Sequence, residues 1–203
     1  RGVSYTGTEV SVGEVIREFI DVGNVGDAFG AESLACADFT LLDGSFLFVS
    51  KECFMRLLIL NGPNLRLLGT REPEIYGAFT LADVEALACK TAEQFGAKAD
   101  CFQSDIEGEL VARIGAARGV YDGIVINPAA YTHTSVALRD ALAASALPAI
   151  EVHISNTHRR EAFRQVSYTA PMCVGQLMGF GLYGYALAVE GLIHYLNSER
   201  KRG

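Results

Sequence analysis

The chain has 203 residues, half of them hydrophobic and a fifth charged, which suits one domain, or one domain with an appendage, around a substantial core. Its net charge of −7 is concentrated upstream: residues 1–54 hold three basic side chains against nine acidic ones, and residues 55–203 hold fourteen against fifteen, so neither part has the basic footprint of a nucleic-acid binder. Five cysteines, at 36, 53, 89, 101 and 173, form an odd set without a C-x-x-C pair, which argues against a disulfide framework or a thiolate metal site and for a reducing cytosol.

Residues 1–54 carry little pattern. Glycines at 2, 7, 13, 23, 26 and 30 puncture them, only Gly13–Val22 is faintly helical, and Phe46–Val49 is too short for a signal-peptide core. They are expected to be an N-terminal extension without a part in the chemistry, either disordered or a wrongly assigned start. The competing expectation is a small strand or helix docked on the main domain.

From Met55 the pattern becomes regular. Arg56–Leu60 reads as a first strand. Thr80 to Phe95 reads as an amphipathic helix, with Thr80 as N-cap, Asp83 at the third helical position in capping-box fashion, and Gly96 just past the end. A strand over Lys98–Gln103, a helix over Glu107–Arg118 and a strand over Gly123–Ile126 follow. A helix over 134–145 has Thr134 and Ser135 as candidate caps. Then come a strand over Ala149–Ile154, a short helix near Arg159–Arg164, a strand over Cys173–Leu177 and a helix ending near Asn197. Gln165–Val189 has no charged residue, but Pro171, Gln176 and four glycines divide it into a short strand, a turn and a helix, so a buried βα unit explains it better than a membrane span.

Strands alternating with helices imply an α/β fold, a doubly wound five-stranded parallel sheet covered on both faces, and five units fit the flavodoxin-like order 2-1-3-4-5. In that order the first, third and fourth strands are neighbours, so three polar loops meet at one crevice: Asn61–Asn64, Asn127–Ser135 and His153–Asn156. The Asn127–Ser135 loop holds six side chains that both donate and accept hydrogen bonds or can be oriented to do so, which favours a polyhydroxylated ligand. For any one of them a capped βα connection is an equally good account.

The connection Asn61–Tyr76 is long enough to be a lid. Pro63 removes a backbone N–H and no G-x-G-x-x-G follows, which disfavours phosphate binding, and Asn61 and Asn127 stand where a receiver domain needs acids. Arg71 lies five residues before Tyr76. A guanidinium beside a phenol favours phenolate, and a tyrosine so adjusted can serve as a general base; taken alone, the pair reads better as a surface arginine and a tyrosine packing the lid. Glu151 and His153 alternate on one strand and so share a face, where a carboxylate fixes an imidazole tautomer and favours its protonated form, an arrangement suited to an acid. A structurally satisfied pair is the even alternative. Arg160 and Arg164, one helical turn apart, could both reach an anion or hydroxyls at the crevice mouth.

Together these residues resemble the type II 3-dehydroquinate dehydratases over Met55 to about Asn197. The resemblance rests on Ile-Leu-Asn-Gly-Pro-Asn-Leu (59–65), Arg-Glu-Pro-Glu-Ile-Tyr (71–76), Gln-Ser-Asp (103–105), Ile-Asn-Pro-Ala-Ala-Tyr-Thr-His-Thr-Ser-Val-Ala-Leu-Arg-Asp (126–140) and Glu-Val-His-Ile-Ser-Asn (151–156). It implies a catalytic domain over 55–203 and a cytoplasmic hydro-lyase that eliminates water from 3-dehydroquinate through an enolate, without metal or cofactor. The role implied is in aromatic biosynthesis by the shikimate route, with quinate breakdown as the alternative. Carried over, Tyr76 is the base, Arg71 adjusts it, His153 is the acid with Glu151 behind it, and Asn64 helps hold a water. Asn127, His133 and Arg164 bind substrate hydroxyls, while Ile154 and Ser155 bind its carboxylate. Asp140 reaches a neighbouring subunit's site in an assembly of trimers into dodecamers; read as two turns beyond His133 on one helix, it is about 10 Å away at 1.5 Å per residue. No nucleic-acid or membrane partner is implied. Two other classes fit parts of the set: a metal-dependent hydro-lyase using His133, His153 and Glu151, and a non-catalytic module that kept the pocket.

Overall fold

The computed structural model describes residues 37–42, 45–50, 54–70 and 79–202. The chain divides into two compact units, residues 1–53 and 54–203. Within the first, strands Ala37–Leu42 and Ser45–Ser50 pair antiparallel, so Phe46–Val49 belongs to a strand of a hairpin. The faint helix expected at Gly13–Val22 lies outside the described residues.

The second unit is the expected sheet. Its strands are β1 (Met55–Asn61), β2 (Ala97–Gln103), β3 (Gly123–Asn127), β4 (Ala149–His153) and β5 (Gly175–Met178), and its helices are α1 (Leu81–Gln94), α2 (Glu107–Gly115), α3 (Val136–Ser145) and α4 (Tyr183–Arg200). All strand pairs are parallel, in the order β2-β1-β3-β4-β5.

The period-two geometry of β1 sorts its apolar run between two cores. Leu57 and Ile59 pack with Val84 and Ala88 of α1 and Val189 and Leu192 of α4; Leu58 and Leu60 pack with Leu110 of α2 and Leu138 of α3. A run buried on both faces cannot alternate polar and apolar residues, and Leu57 through Leu60 are all fully buried. Each such leucine or isoleucine removed from water contributes about 1.5–3 kcal/mol, so the central strands dominate the core.

Local signals set most of the boundaries. The Thr80 hydroxyl accepts from the Asp83 N–H and the Asp83 carboxylate accepts from the Thr80 N–H, which closes the expected capping box; Gly96 just past the helix has φ 70°. Ser135, not Thr134, caps α3 through the Leu138 N–H.

Three elements differ from expectation. Helix α2 stops at Gly115 instead of Arg118, because the chain tightens into short turns (Ala117 N–H to Ile114 O, Val120 N–H to Ala117 O) and passes Gly119 at φ 77°. The helix expected near Arg159–Arg164 is instead two 3-10 turns, Thr157–Arg159 and Ala162–Gln165. Asn156 caps the first through the His158 N–H, and Arg160 and Glu161 are extended between them. Strand β5 begins at Gly175 because a proline-containing turn occupies Ala170–Met172.

The ends of β1 and β3 are held together closely. Gly62 N–H donates to Asn127 O at 2.8 Å, and a Cβ on Gly62 would lie 2.6 Å from the Pro128 carbonyl oxygen. The clash is with backbone, so no rotamer relieves it. Gly62→Ala is therefore expected to destabilise the protein by about 1–3 kcal/mol, the usual range for forced overpacking. A urea midpoint equal to that of the parent would show that the two loops can separate without cost.

Candidate active site

The loops leaving β1, β3 and β4 line one cleft of about 130 Å³. Asn64, Asn127, His133, His153, Ile154, Ser155 and Arg164 all face it, as does Arg160, with Leu65, Leu67 and Leu68 as the apolar wall. Seven of the expected site residues therefore converge. Arg71 and Tyr76 lie outside the described residues. Asp140 does not line the cleft and is exposed on α3. His133 is not on that helix but in the 3-10 turn Ala129–His133 that precedes it, which corrects the two-turn spacing read along one helix.

Glu151 is wholly buried in the middle of β4 behind His153. Its Oε1 accepts from His153 Nε2 at 2.7 Å, Thr132 Oγ1 at 2.8 Å and Gln176 Nε2 at 2.8 Å, and its Oε2 accepts from Thr169 Oγ1 at 2.5 Å. Burial alone would push this carboxyl up; the hydrogen bond and charge of His153, then the hydroxyls of Thr169 and Thr132, outweigh it and hold the group below the ordinary glutamate value. An ionised carboxylate can only accept, so His153 carries a proton on Nε2.

The other polar groups of the cleft have their donor or acceptor sense set in the same way. His133 Nδ1 lies 2.7 Å from the Val166 carbonyl oxygen; a carbonyl accepts, so Nδ1 is protonated and the neutral ring offers Nε2 as an acceptor. The Asn127 amide oxygen accepts from the Ala129 N–H at 3.1 Å, and its nitrogen donates to Tyr185 Oη at 2.8 Å. Tyr185 is fully buried, burial pushes its phenol up, and it donates in turn to Asn61 Oδ1 at 2.7 Å. Asn127 consequently has one amide hydrogen left over.

Asn64 sits in the left-handed region, φ 66°, which an asparagine tolerates better than most residues. Its backbone N–H donates to Asp105 Oδ1 at 2.8 Å, and this bond is the main reason the Asp105 carboxyl is held low, with Gln103 and Arg66 adding to it against a smaller effect of desolvation. Tyr131 Oη donates to the Asp105 carbonyl oxygen at 2.7 Å, tying the loop after β3 to the same point. Arg160 and Arg164 flank Glu161, at 3.5 Å and 2.9 Å from its Oε2.

Several working parts escaped the sequence reading. Thr169, Gln176 and Tyr185 were not singled out as parts of the site, because they meet Glu151 and Asn127 across separations of 18 to 58 residues; Thr132, one of the six polar residues of the Asn127–Ser135 loop, turns to Glu151. The Gln103–Asp105 motif carried the signal for Asp105 without showing its task. Among the described residues no group of three or more His, Cys, Asp or Glu side chains is placed to hold a metal ion, and His133, His153 and Glu151 form no such group.

A doubly wound parallel sheet carrying a buried carboxylate–imidazole pair at the mouth of a hydroxyl-recognising cleft defines an acid–base enzyme of the flavodoxin-like class. A family model described as dehydroquinase class II matches residues 55–193, and the chain belongs to that family. It is 56% identical over 142 residues to "3-dehydroquinate dehydratase" of Geotalea daltonii, covering 70% of this chain and 99% of that one. It is 59% identical over 134 residues to "Catabolic 3-dehydroquinase 1" of Aspergillus terreus, covering 66% and 88%. Among solved structures, the type II dehydroquinase from Butyrivibrio crossotus aligns with a TM-score of 0.67 at 45% identity, covering 68% of this chain and 97% of that one.

The low-lying Glu151 carboxyl implies a pH dependence. A group whose folded value is depressed contributes stability that is present above its unfolded value, about 4.3, and lost as pH falls through the folded value. Glu151→Gln should therefore be less stable than the parent at pH 7, and the gap should narrow as pH drops below about 4. Urea midpoints measured across that range check this; a gap that stays constant with pH would mean that the ionised form is not the one the fold stabilises.

Proposed function

We infer that the chain eliminates water from 3-dehydroquinate to give 3-dehydroshikimate, as a hydro-lyase of its family. The observation that carries the mechanism is the Glu151–His153 pair opening on a cleft whose polar groups are preset for a hydroxylated ring. Tyr76, as phenolate, removes the C2 proton, and Arg71 beside it stabilises that phenolate. Electrons move into the ketone to form an enolate, which a water held by Asn64 stabilises. His153, doubly protonated with its Nε2–H held by Glu151, then gives its Nδ1 proton to the departing C1 hydroxyl, which leaves as water from the opposite face.

Binding follows from the fixed polarities. His133 accepts from a substrate hydroxyl and Asn127 donates to one, while Arg164 binds a further hydroxyl. The Ile154 backbone and the Ser155 hydroxyl hold the carboxylate. The family favours service in aromatic biosynthesis over quinate breakdown. Among the described residues no helix is long and apolar enough to cross a membrane, and Cys89, Cys101 and Cys173 are free thiols, which agrees with a cytoplasmic enzyme. Residues 1–54 lie upstream of the family match and hold no residue of the mechanism.

Turnover of 3-dehydroquinate, followed by the rise in enone absorbance, tests the reaction, and activity that survives exhaustive chelation removes the metal-dependent reading. Tyr76→Phe should bind substrate and lose about 10²–10⁴-fold in kcat or more, the range expected for loss of a general base. His153→Ala should lose turnover comparably. Near-normal kcat in either variant, folded and substrate-bound, contradicts the role given to that residue.

The assembly proposed is a dodecamer of trimers in which Asp140, exposed on α3 of its own chain, completes a neighbouring subunit's cleft. Asp140→Asn and Tyr76→Phe should then each be impaired, and co-refolded mixtures should regain activity, because some sites draw both intact residues from different chains. Mixed oligomers that show only the average of their parents would place Asp140 within its own site.

A further inference from the structure

Glu151 needs more than burial to be useful to His153. A carboxylate has two oxygens and a free end rotation, and the imidazole requires one of those oxygens at one place. The structure surrounds it with donors from separate segments: Thr132 from the loop after β3, Gln176 from the edge strand at the register position opposite Glu151, and Thr169 from the connection that leads into β5. Thr132 and Thr169 are fully buried, so no bulk water competes for these bonds.

The protons can be counted. Thr132 gives its single hydroxyl proton to Oε1 and Thr169 gives its own to Oε2. Ser167, 2.7 Å from Thr132 Oγ1 and 3.2 and 3.4 Å from the two Glu151 oxygens, accepts the Ala170 N–H and turns its own proton into this cluster. The hydroxyl protons of Thr132 and Thr169 thus point to the carboxylate, as its ionised, accepting form requires.

We propose that Thr169 is a positioning residue for the dehydration: with Thr132 and Gln176 it fixes the Glu151 carboxylate in the orientation in which Oε1 meets the His153 Nε2–H, and so turns the other nitrogen of that ring to the substrate. The proposal rests on the reading of His153 as the acid. Thr169 touches neither substrate nor His153; it acts through Glu151. It is the closest donor to Oε2, where the other contact is Ser167 Oγ at 3.4 Å, whereas Oε1 is met by His153, Thr132, Gln176 and, at 3.2 Å, Ser167, so its removal frees a rotation that the others restrain less closely.

Thr169→Val keeps the volume and deletes the hydroxyl. In the full-length enzyme kcat should fall about tenfold or more while KM stays within about twofold, the pattern of an interaction that matters in the transition state. Thr169→Ser should restore most of it. In a Glu151→Gln background the same valine should add little, because both changes act on one group and neighbouring effects of this kind do not add. Gln176→Met, at an exposed edge-strand position that tolerates the change in fold, should show the same split to a smaller degree and carries the test if the valine variant does not fold. Wild-type kcat in the folded variants overturns the proposal, as does a loss confined to KM or a full valine effect in the Glu151→Gln background. Sustained turnover in His153→Ala would instead overturn the acid assignment on which the proposal stands.

Discussion

A carboxylate at the centre of an apolar strand is the constraint around which this site is built. Moving such a charge out of water costs several kcal/mol even after relaxation, and only close donors offset it. Glu151 meets that cost with His153, Thr132, Thr169 and Gln176, which come from its own strand, from the loop after β3, from the connection before β5 and from β5 itself. Satisfying one charge therefore fixes the relative positions of four parts of the chain. The backbone repeats the tie, since Tyr168 N–H donates to Thr132 O at 2.7 Å. The long connection between β4 and β5 is anchored at the site although little of it is regular.

The same logic explains why the cleft reads hydroxyls. His133 and Asn127, which face it, spend hydrogen-bonding capacity on the protein, and those bonds decide what remains. His133 spends its Nδ1 proton on Val166, and Asn127 spends its oxygen on Ala129 and one hydrogen on Tyr185. What is left is an acceptor, a donor and the unspent nitrogen of His153, arranged around a small space. A flexible amide or an unpartnered imidazole would present either sense and would discriminate less. Fixed polarity lets a small cleft distinguish a polyhydroxylated ring from an apolar one of similar size, because a mismatched ligand leaves buried groups unpaired at about 1–3 kcal/mol each.

The sheet was legible because its signals are local. Leu57 through Leu60 announce a doubly buried strand, and Thr80 with Asp83 announces a helix start. Alternation of such segments leaves few topologies, and the strand order then brings Asn64, Asn127 and His153 to one crevice. What could not be read depends on contacts between segments. The expected helix through Arg160 and Arg164 gave way because Arg160 and Glu161 are extended, and nothing in the local periodicity shows it. Thr169 and Gln176 lay in a stretch noticed only for its lack of charge. Their role depends on a carboxylate 18 and 25 residues earlier. Nothing local to the last helix distinguishes Tyr185, whose hydroxyl lies between two asparagines from the ends of β1 and β3.

The two ends of the site are held by different means, and this bears on how it works. At the acid end Glu151, His153, Thr132 and Thr169 are buried and hydrogen-bonded around one carboxylate, so the His153 ring is placed by a closely tied network. At the other end the root of the loop after β1 is pinned. Asn64 is held in a left-handed turn by Asp105, Gly62 is pressed against Pro128, and Leu67 and Leu68 close the wall before the chain runs on toward Arg71 and Tyr76. In the proposed reaction Tyr76 would take a proton and His153 give one on opposite faces of one ring, so the distance between base and acid would have to match the substrate. A closely held His153 and a pinned loop root would supply the two reference points for that match.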